Sequence, residues 1–355
     1  MYSQPIQKNL ELFIRSSLIL FILLLLTACQ DSSSSSTPAL LTEFSGHEMT
    51  IDYRILVGQN LLENDRETIQ HILADTFNEV DQIYNKWNPH SELSKLNSLK
   101  AHVKVRLSEK LLTLLNLTNQ MFILTEGRFD PTIEPLQTLW KKHLEKGSIP
   151  SQEELKSLAK TVGWKKIHIH EGFFYKEVDE IQMDLGGIAK GYCVDLIVER
   201  LNKAGYKNVF VEWGGEIRAS GIHPEQRPWN IFISRLGDTR PENAIAILSL
   251  NNQAIATSGD YLQSWTIQNR EGSMDTYSHI IDPVLLKPLM VTPSTIASVS
   301  VISTSCARAD ALATALMLFP NIKEAHAWGE KIKKEIKEDV NFWIVSRDDL
   351  LGPKS

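Results

Sequence analysis

Asp310 and Thr314 stand four residues apart in a run of small residues, 305–319, whose spacing predicts a helix. Four residues is about one helical turn, so the carboxylate and the hydroxyl share a face. Together they offer two hard oxygens of the kind Mg²⁺ prefers, with a carbonyl, water or substrate phosphate to complete the shell. His279 lies in Tyr277-Ser278-His279-Ile280-Ile281-Asp282, among polar turn residues. An imidazole with an ordinary pKa of about 6.5 suits the removal of a hydroxyl proton near neutral pH. Lys190 follows the pair Gly186-Gly187 at the head of an apolar, helix-spaced run. Backbone N–H groups and a lysine converging on one point suit a phosphate or pyrophosphate. The spacing fits neither a Walker loop nor a dinucleotide-binding glycine fingerprint. Taken singly, each feature also has a structural reading: a packed Asp–Thr pair, a satisfied strand-end histidine, a tight turn.

These residues need elements to hold them. Ile181, Met183 and Leu185 alternate with Gln182 and Asp184, which predicts a strand ending at the glycine pair. Apolar residues from Ile188 onward predict a helix over 188–204. Upstream, the patterns predict a strand at 49–57 and an amphipathic helix at 66–84 that Trp87-Asn88-Pro89 ends. A short helix closing at Asn97, a helix at 108–125 and a segment 133–140 follow. Ser151 opens a further helix with a capping-box pattern, and strands come near 166–170 and 173–178. Downstream, a buried strand at 208–213 ends at Gly214-Gly215-Glu216, and short strands are predicted near 230–234, 244–249 and 254–257. A polar loop over 256–261, the segment 278–283 and a strand at 296–302 lead to the 305–319 helix. Helices alternate with groups of strands and no repeat recurs. The pattern favours an α+β fold with mixed or antiparallel sheet over a doubly wound one.

Length permits a large core, since the chain has 355 residues. Its first 28 residues read as an export signal: Lys8 and Arg15, an apolar run from Leu18 to Leu26, then Leu26-Thr27-Ala28-Cys29. That ending resembles the bacterial lipobox, with cleavage before Cys29 and lipidation of its thiol. The apolar run is too short to span about 30 Å of hydrocarbon as a helix. A Ser-rich tether, 29–42, would then carry a domain over 43–345 and a tail at 346–355. Gln30 after the cysteine resembles the outer-membrane sorting pattern, and the expected location is the periplasmic face of a bacterial envelope membrane, inner or outer. Losing Lys8, Arg15 and Glu11 moves the net charge from −6 to −7, and no basic patch stands out, so nucleic acid is not an expected partner. Cys193 and Cys306 sit in apolar helical contexts and read as packing residues.

Seven runs, in order, resemble the ApbE family of Mg²⁺-dependent FAD:protein FMN transferases. They are SELSKLN (91–97), GRFDPTIEPLQTLW (127–140), DLGGIAKGYCVD (184–195), VEWGGEIRASG (211–221), ATSGDY (256–261), SHIIDP (278–283) and ADALATALM (309–317). The resemblance extends from about Met49 to Phe319. It implies a T-fold-related pair of duplicated α+β halves with FAD bound between them. It implies that an acceptor threonine attacks the FMN phosphorus, that AMP leaves, and that FMN stays in phosphoester linkage. Residue by residue, it implies FAD contacts at Met49, Trp87 (where many members have Tyr), Arg128, Phe129, Asp130, Asp184, Lys190 and Ile281. It implies Mg²⁺ on the carbonyl of Gly187 and the side chains of Asp310 and Thr314, with His279 as general base and Lys190 aiding the departure of AMP. The acceptors it implies are exported or periplasm-facing electron-transfer proteins.

Two stretches depart from the family pattern. Lys141-Lys142-His143 replaces a Gly-Phe-Gly, and Val284-Leu285-Leu286-Lys287-Pro288 replaces a Thr-Gly after Asp282-Pro283. Two other readings share the same residues: an FAD pyrophosphatase giving FMN and AMP, and an FAD-binding lipoprotein without turnover.

Overall fold

Met49 and Thr50, at φ of 49° and 68°, reverse the chain between β1 (Leu41–Glu48) and β2 (Ile51–Gly58). Two consecutive left-handed residues are what a two-residue hairpin turn demands. The computed structural model describes residues 40–347, apart from 234–241, 243, 245, 262, 337 and 338. These residues belong to one compact unit that begins at Leu40. Helix α1 (Glu63–Tyr84) buries Ile69, Leu73, Thr76, Phe77, Val80 and Tyr84, the spacing of one helical face. Then come α2 (Glu92–Asn97), the two-residue β3 (Val105–Arg106), α3 (Glu109–Leu124), α4 (Glu134–Leu144) and α5 (Gln152–Leu158). Ser151 and Glu154 form the expected capping box at α5, each accepting from the other's backbone N–H at 3.2 and 2.8 Å.

β4 (Ile167–His170) and β5 (Phe173–Lys176) precede α6 (Gly186–Lys203), β6 (Val209–Trp213), β7 (Glu216–Ser220), β8 (Trp229–Ile233) and β9 (Ala246–Leu250). The remainder is β10 (Ala254–Gly259), β11 (Ser264–Gln268), β12 (Met274–Asp282), β13 (Lys287–Met290), β14 (Ile296–Ser303), α7 (Cys306–Met317), α8 (Ile322–Ile336) and β15 (Asn341–Ser346). The main sheet runs β1-β2-β6-β7-β10-β14-β15, and each of its pairs is antiparallel. The fold is α+β, with this antiparallel sheet as its largest. Among the described residues no helix is long and apolar enough to cross a membrane.

Helices α6 and α7 cross on this sheet and form the centre of the core. Gly191 lets their backbones touch: a Cβ there would lie 2.4 Å from the Cys306 carbonyl oxygen and 2.8 Å from the Ala307 nitrogen. Asp195, one turn further along α6, locks the start of α7. Its carboxylate accepts the Cys306 and Ala307 N–H groups at 2.9 and 3.0 Å and the Ser305 hydroxyl at 2.8 Å, with Arg218 donating at 2.7 Å. A carboxylate on the first N–H groups of a helix satisfies orphan donors and complements the helix dipole. Cys193 and Cys306 are free and buried in this crossing, so their role is packing.

Several expectations need correction. Residues 181–185 form no strand. Their backbone groups are taken by side chains and a turn: Asn97 brackets Met183 through its N–H and carbonyl at 2.8 and 2.9 Å, and Lys176 reaches the Ile181 carbonyl at 2.8 Å. The 256–261 run is not a loop through its first four residues, which lie on β10 and pair with β14. The span read as tether to residue 42 overlaps β1, which starts at Leu41, and Ser346, read as tail, closes β15. The strands expected at 230–234 and 244–249 appear as β8 and β9, with 234 and 245 outside the described residues. The patterns missed β1, β3, β7, β11, β13, α8 and β15, and of β12 they marked only the segment 278–283, without a type. Cys29 and the signal segment also lie outside the described residues.

Candidate active site

A cavity of about 340 Å³ gathers residues from six separate stretches. Arg128, Phe129 and Asp130 enter from the turn after α3, Asp184, Gly187 and Lys190 from the start of α6, and Glu216 from β7. Thr257, Ser258 and Gly259 come from β10, His279 and Ile281 from β12, and Asp310 and Thr314 from α7. A neighbouring cleft of about 280 Å³ shares Asp184, Gly186, His279 and Ile281 with it and adds Lys86, Trp87, Trp140 and Trp265. The structure therefore brings together every residue singled out from the sequence except Met49, and Cys29, which lies outside the described residues. Met49 is fixed in the β1–β2 turn, packs against the main core and lines neither space.

The helix start is set by Asp184. Its Oδ1 accepts the Gly186 N–H at 2.7 Å, and its own N–H donates to the Pro131 carbonyl at 2.7 Å. One of the N–H groups expected to face an anion is thus already used. Gly187 is needed for room: a Cβ there would lie 3.1 Å from Thr314 Oγ1 and 3.2 Å from the Phe129 ring. Asp310, 3% exposed, accepts the Gly191 N–H at 3.2 Å, and Thr314 Oγ1 lies 3.3 Å from Ser258 Oγ. Burial pushes the Asp310 carboxyl well above the usual range, against the pull of Lys190. A buried carboxylate in such a setting calls for a countercharge. Its oxygen, a hydroxyl and the Gly187 backbone beside them are a donor set that fits a hard divalent cation.

Lys190 is held by an acidic partner. Its Nζ donates to Glu216 Oε1 at 2.5 Å. Burial alone would drag the ammonium down, but the Glu216 and Asp310 carboxylates hold it above the ordinary lysine value. His279 Nδ1 sits 3.2 Å from the Gln263 carbonyl, which fixes that nitrogen as the donor and leaves Nε2 as the acceptor. Burial lowers its pKa; the Gln263 hydrogen bond works in the opposite direction. Two nearby acids are occupied elsewhere. Asp282 Oδ1 caps the Val284 and Leu285 N–H groups at 2.8 Å each, and Asp260 is held by Arg347 at 2.5 Å. Asp130 likewise spends its carboxylate on the Thr132 and Trp164 N–H groups at 2.9 and 3.0 Å. Arg128 lies over the Phe319 ring, 4.4 Å from its centre.

Sequence reasoning missed Lys86, Glu134 and Glu216. Lys86 pairs with Glu134 and, at 2.9 Å, with Asp184, and its Nζ lies 4.6 Å from the ring centre of Trp87. Trp87 is 77% exposed, so its other face is open. The signals were present: Lys86 precedes Trp87, Glu134 lies in the GRFDPTIEP run, and Glu216 follows a Gly-Gly hairpin.

With this geometry in view, the comparisons are concordant. A sequence model described as the ApbE family matches residues 47–337. The chain belongs to the ApbE family. It is 39% identical over 292 residues to a Chlamydia pneumoniae protein named FAD:protein FMN transferase, covering 82% of this chain and 88% of that one. A Vibrio cholerae protein of the same name is 33% identical over 283 residues, covering 79% and 82%. A solved structure, the flavin transferase ApbE from Vibrio cholerae, superposes with a TM-score of 0.71 at 28% identity, over 88% of this chain and 99% of that one.

Proposed function

We propose that the chain is an FAD:protein FMN transferase that esterifies an acceptor threonine with FMN and releases AMP. The observation that carries this reading is the convergence of His279, Lys190, Gly187, Asp310 and Thr314 on one cavity. His279 Nε2 takes the proton of the acceptor hydroxyl while Nδ1–H stays on the Gln263 carbonyl. The hydroxyl oxygen forms its bond to the FMN phosphorus, and the bond from that phosphorus to the bridging oxygen breaks. The electron pair leaves with AMP, and the proton on His279 passes to solvent. Lys190 offsets the negative charge that grows on the departing phosphate, the kind of preorganised electrostatic term that contributes most to such steps. Gly187, Asp310 and Thr314 would hold Mg²⁺, which supplies Lewis-acid neutralisation of phosphate oxygens. Trp87 offers an open aromatic face for a flavin or adenine ring, and Arg128, Phe129, Asp130, Asp184 and Ile281 line the rest of the FAD site.

The lipobox-like sequence at Cys29 and the Ser-rich stretch after it support a lipid-anchored enzyme facing the periplasm. Its acceptors would then be exported or periplasm-facing electron-transfer proteins. AMP release from FAD tests the reading. AMP should appear only with Mg²⁺ present and faster with a threonine-bearing acceptor. An acceptor-independent rate would instead indicate hydrolysis of FAD, and no AMP would indicate a carrier.

A further inference from the structure

We propose that Glu216 is a positioning residue that fixes the Lys190 ammonium at the wall of the cavity, where it meets the phosphates of the nucleotide. This rests on the reading of Lys190 given above. Glu216 is 1% exposed and lines the cavity, yet no step described so far uses it. It opens β7 directly after Gly214 and Gly215, whose φ values of 63° and 94° make the tight turn between β6 and β7. That turn holds the backbone of Glu216 in the centre of the main sheet, across from the fifth residue of α6. Oε1 accepts from Lys190 Nζ at 2.5 Å, while Oε2 has no hydrogen-bond partner among the described residues. Burial pushes the Glu216 carboxyl up to about 8 even though Lys190 pulls it down; a buried acid with one oxygen unsatisfied costs stability, and the Lys190 contact offsets only part of that. Retaining it there makes sense if the task is to orient the lysine.

Lysine is a flexible four-carbon stem ending in a point charge. Unpaired in a buried wall, it would both wander and lose its proton, because burial works against the ammonium. The groups that face Lys190 are Glu216 from β7, Asp310 and Cys306 from α7, and His279 from β12. Of these, Glu216 alone hydrogen-bonds the ammonium among the described residues.

The test is AMP release from FAD with Mg²⁺ and acceptor, measured from pH 6 to 10 on the purified chain. Glu216→Gln should lower kcat roughly tenfold or more, with a smaller change in the KM for FAD. It should also introduce a fall in rate on the alkaline side that the parent lacks. Adding Lys190→Arg, a cation that stays charged, should remove that alkaline fall. Glu216→Asp, which keeps the charge but shortens the reach, should lower kcat without the alkaline fall, and it serves if the Gln variant does not fold. A Gln variant with the parent's pH profile and a kcat within threefold would overturn the proposal. Lys190→Ala separates the two claims. If it leaves turnover untouched, the phosphate role of Lys190 falls; if it abolishes turnover while Glu216→Gln does not, the positioning role alone falls.

Discussion

At the scale of single residues, the proposed reaction has His279 take the proton and Asp310 help hold the charge. His279→Ala should lower transfer by roughly 10²–10⁴-fold, the usual worth of a general base. FAD affinity should change little, since the cavity is also lined by Arg128, Phe129, Asp184 and Ile281. Burial depresses the His279 pKa, so the neutral, proton-accepting form persists to lower pH than for a free histidine. The parent rate should therefore rise with pH through a value below the ordinary one of about 6.5 and then level, and the variant should lack that limb. The same depression makes this group's contribution to stability full above the unfolded-state value and lost as pH falls. A pH–rate curve for parent and variant checks the sign. Asp310→Ala should raise the Mg²⁺ concentration needed for half-maximal turnover at least tenfold while the protein still melts cooperatively. Unchanged Mg²⁺ dependence, read from a metal titration of AMP release, would remove Asp310 from the metal site.

At the scale of elements, the α6–α7 crossing decides whether those residues meet. Gly191→Ala would drive a methyl carbon into the Cys306 carbonyl, and backbone cannot yield as a side-chain tip does. Overpacking of this kind costs about 1–3 kcal/mol or more, and the displaced Gly191 N–H would release Asp310 as well. Thermal melting and turnover should fall together in this variant; a parent-like melting temperature would contradict the close approach. Much of this arrangement was legible in the sequence. The i, i+4 pair Asp310–Thr314, the glycine pair at the start of α6 and the SHIID segment each point to a cavity residue. The supposed strand at 181–185 was not legible. Alternation of Ile181, Met183 and Leu185 reports burial on one side, but the partners of that backbone are the Asn97 and Lys176 side chains from distant elements. Nor does local sequence reveal that Glu216 meets Lys190, because the pairing depends on which strand lies beneath α6. Met49, which the family pattern assigns to the flavin, stands in the β1–β2 turn and packs against the main core.

At the scale of the whole molecule, one antiparallel sheet supports a cavity whose walls come from both early and late parts of the chain, and the expected anchor lies ahead of it. If the Ser-rich stretch is only a tether, Cys29→Ala should change membrane partitioning and leave FAD turnover by the purified protein intact. Loss of turnover would make the N-terminal segment part of the site. Covalent transfer is read from the intact mass of a threonine-bearing acceptor after incubation with the purified chain, FAD and Mg²⁺. Transfer predicts a mass gain equal to one esterified FMN, with one AMP released per acceptor modified. An acceptor of unchanged mass, whether FAD stays intact or is converted to free FMN and AMP, would contradict it.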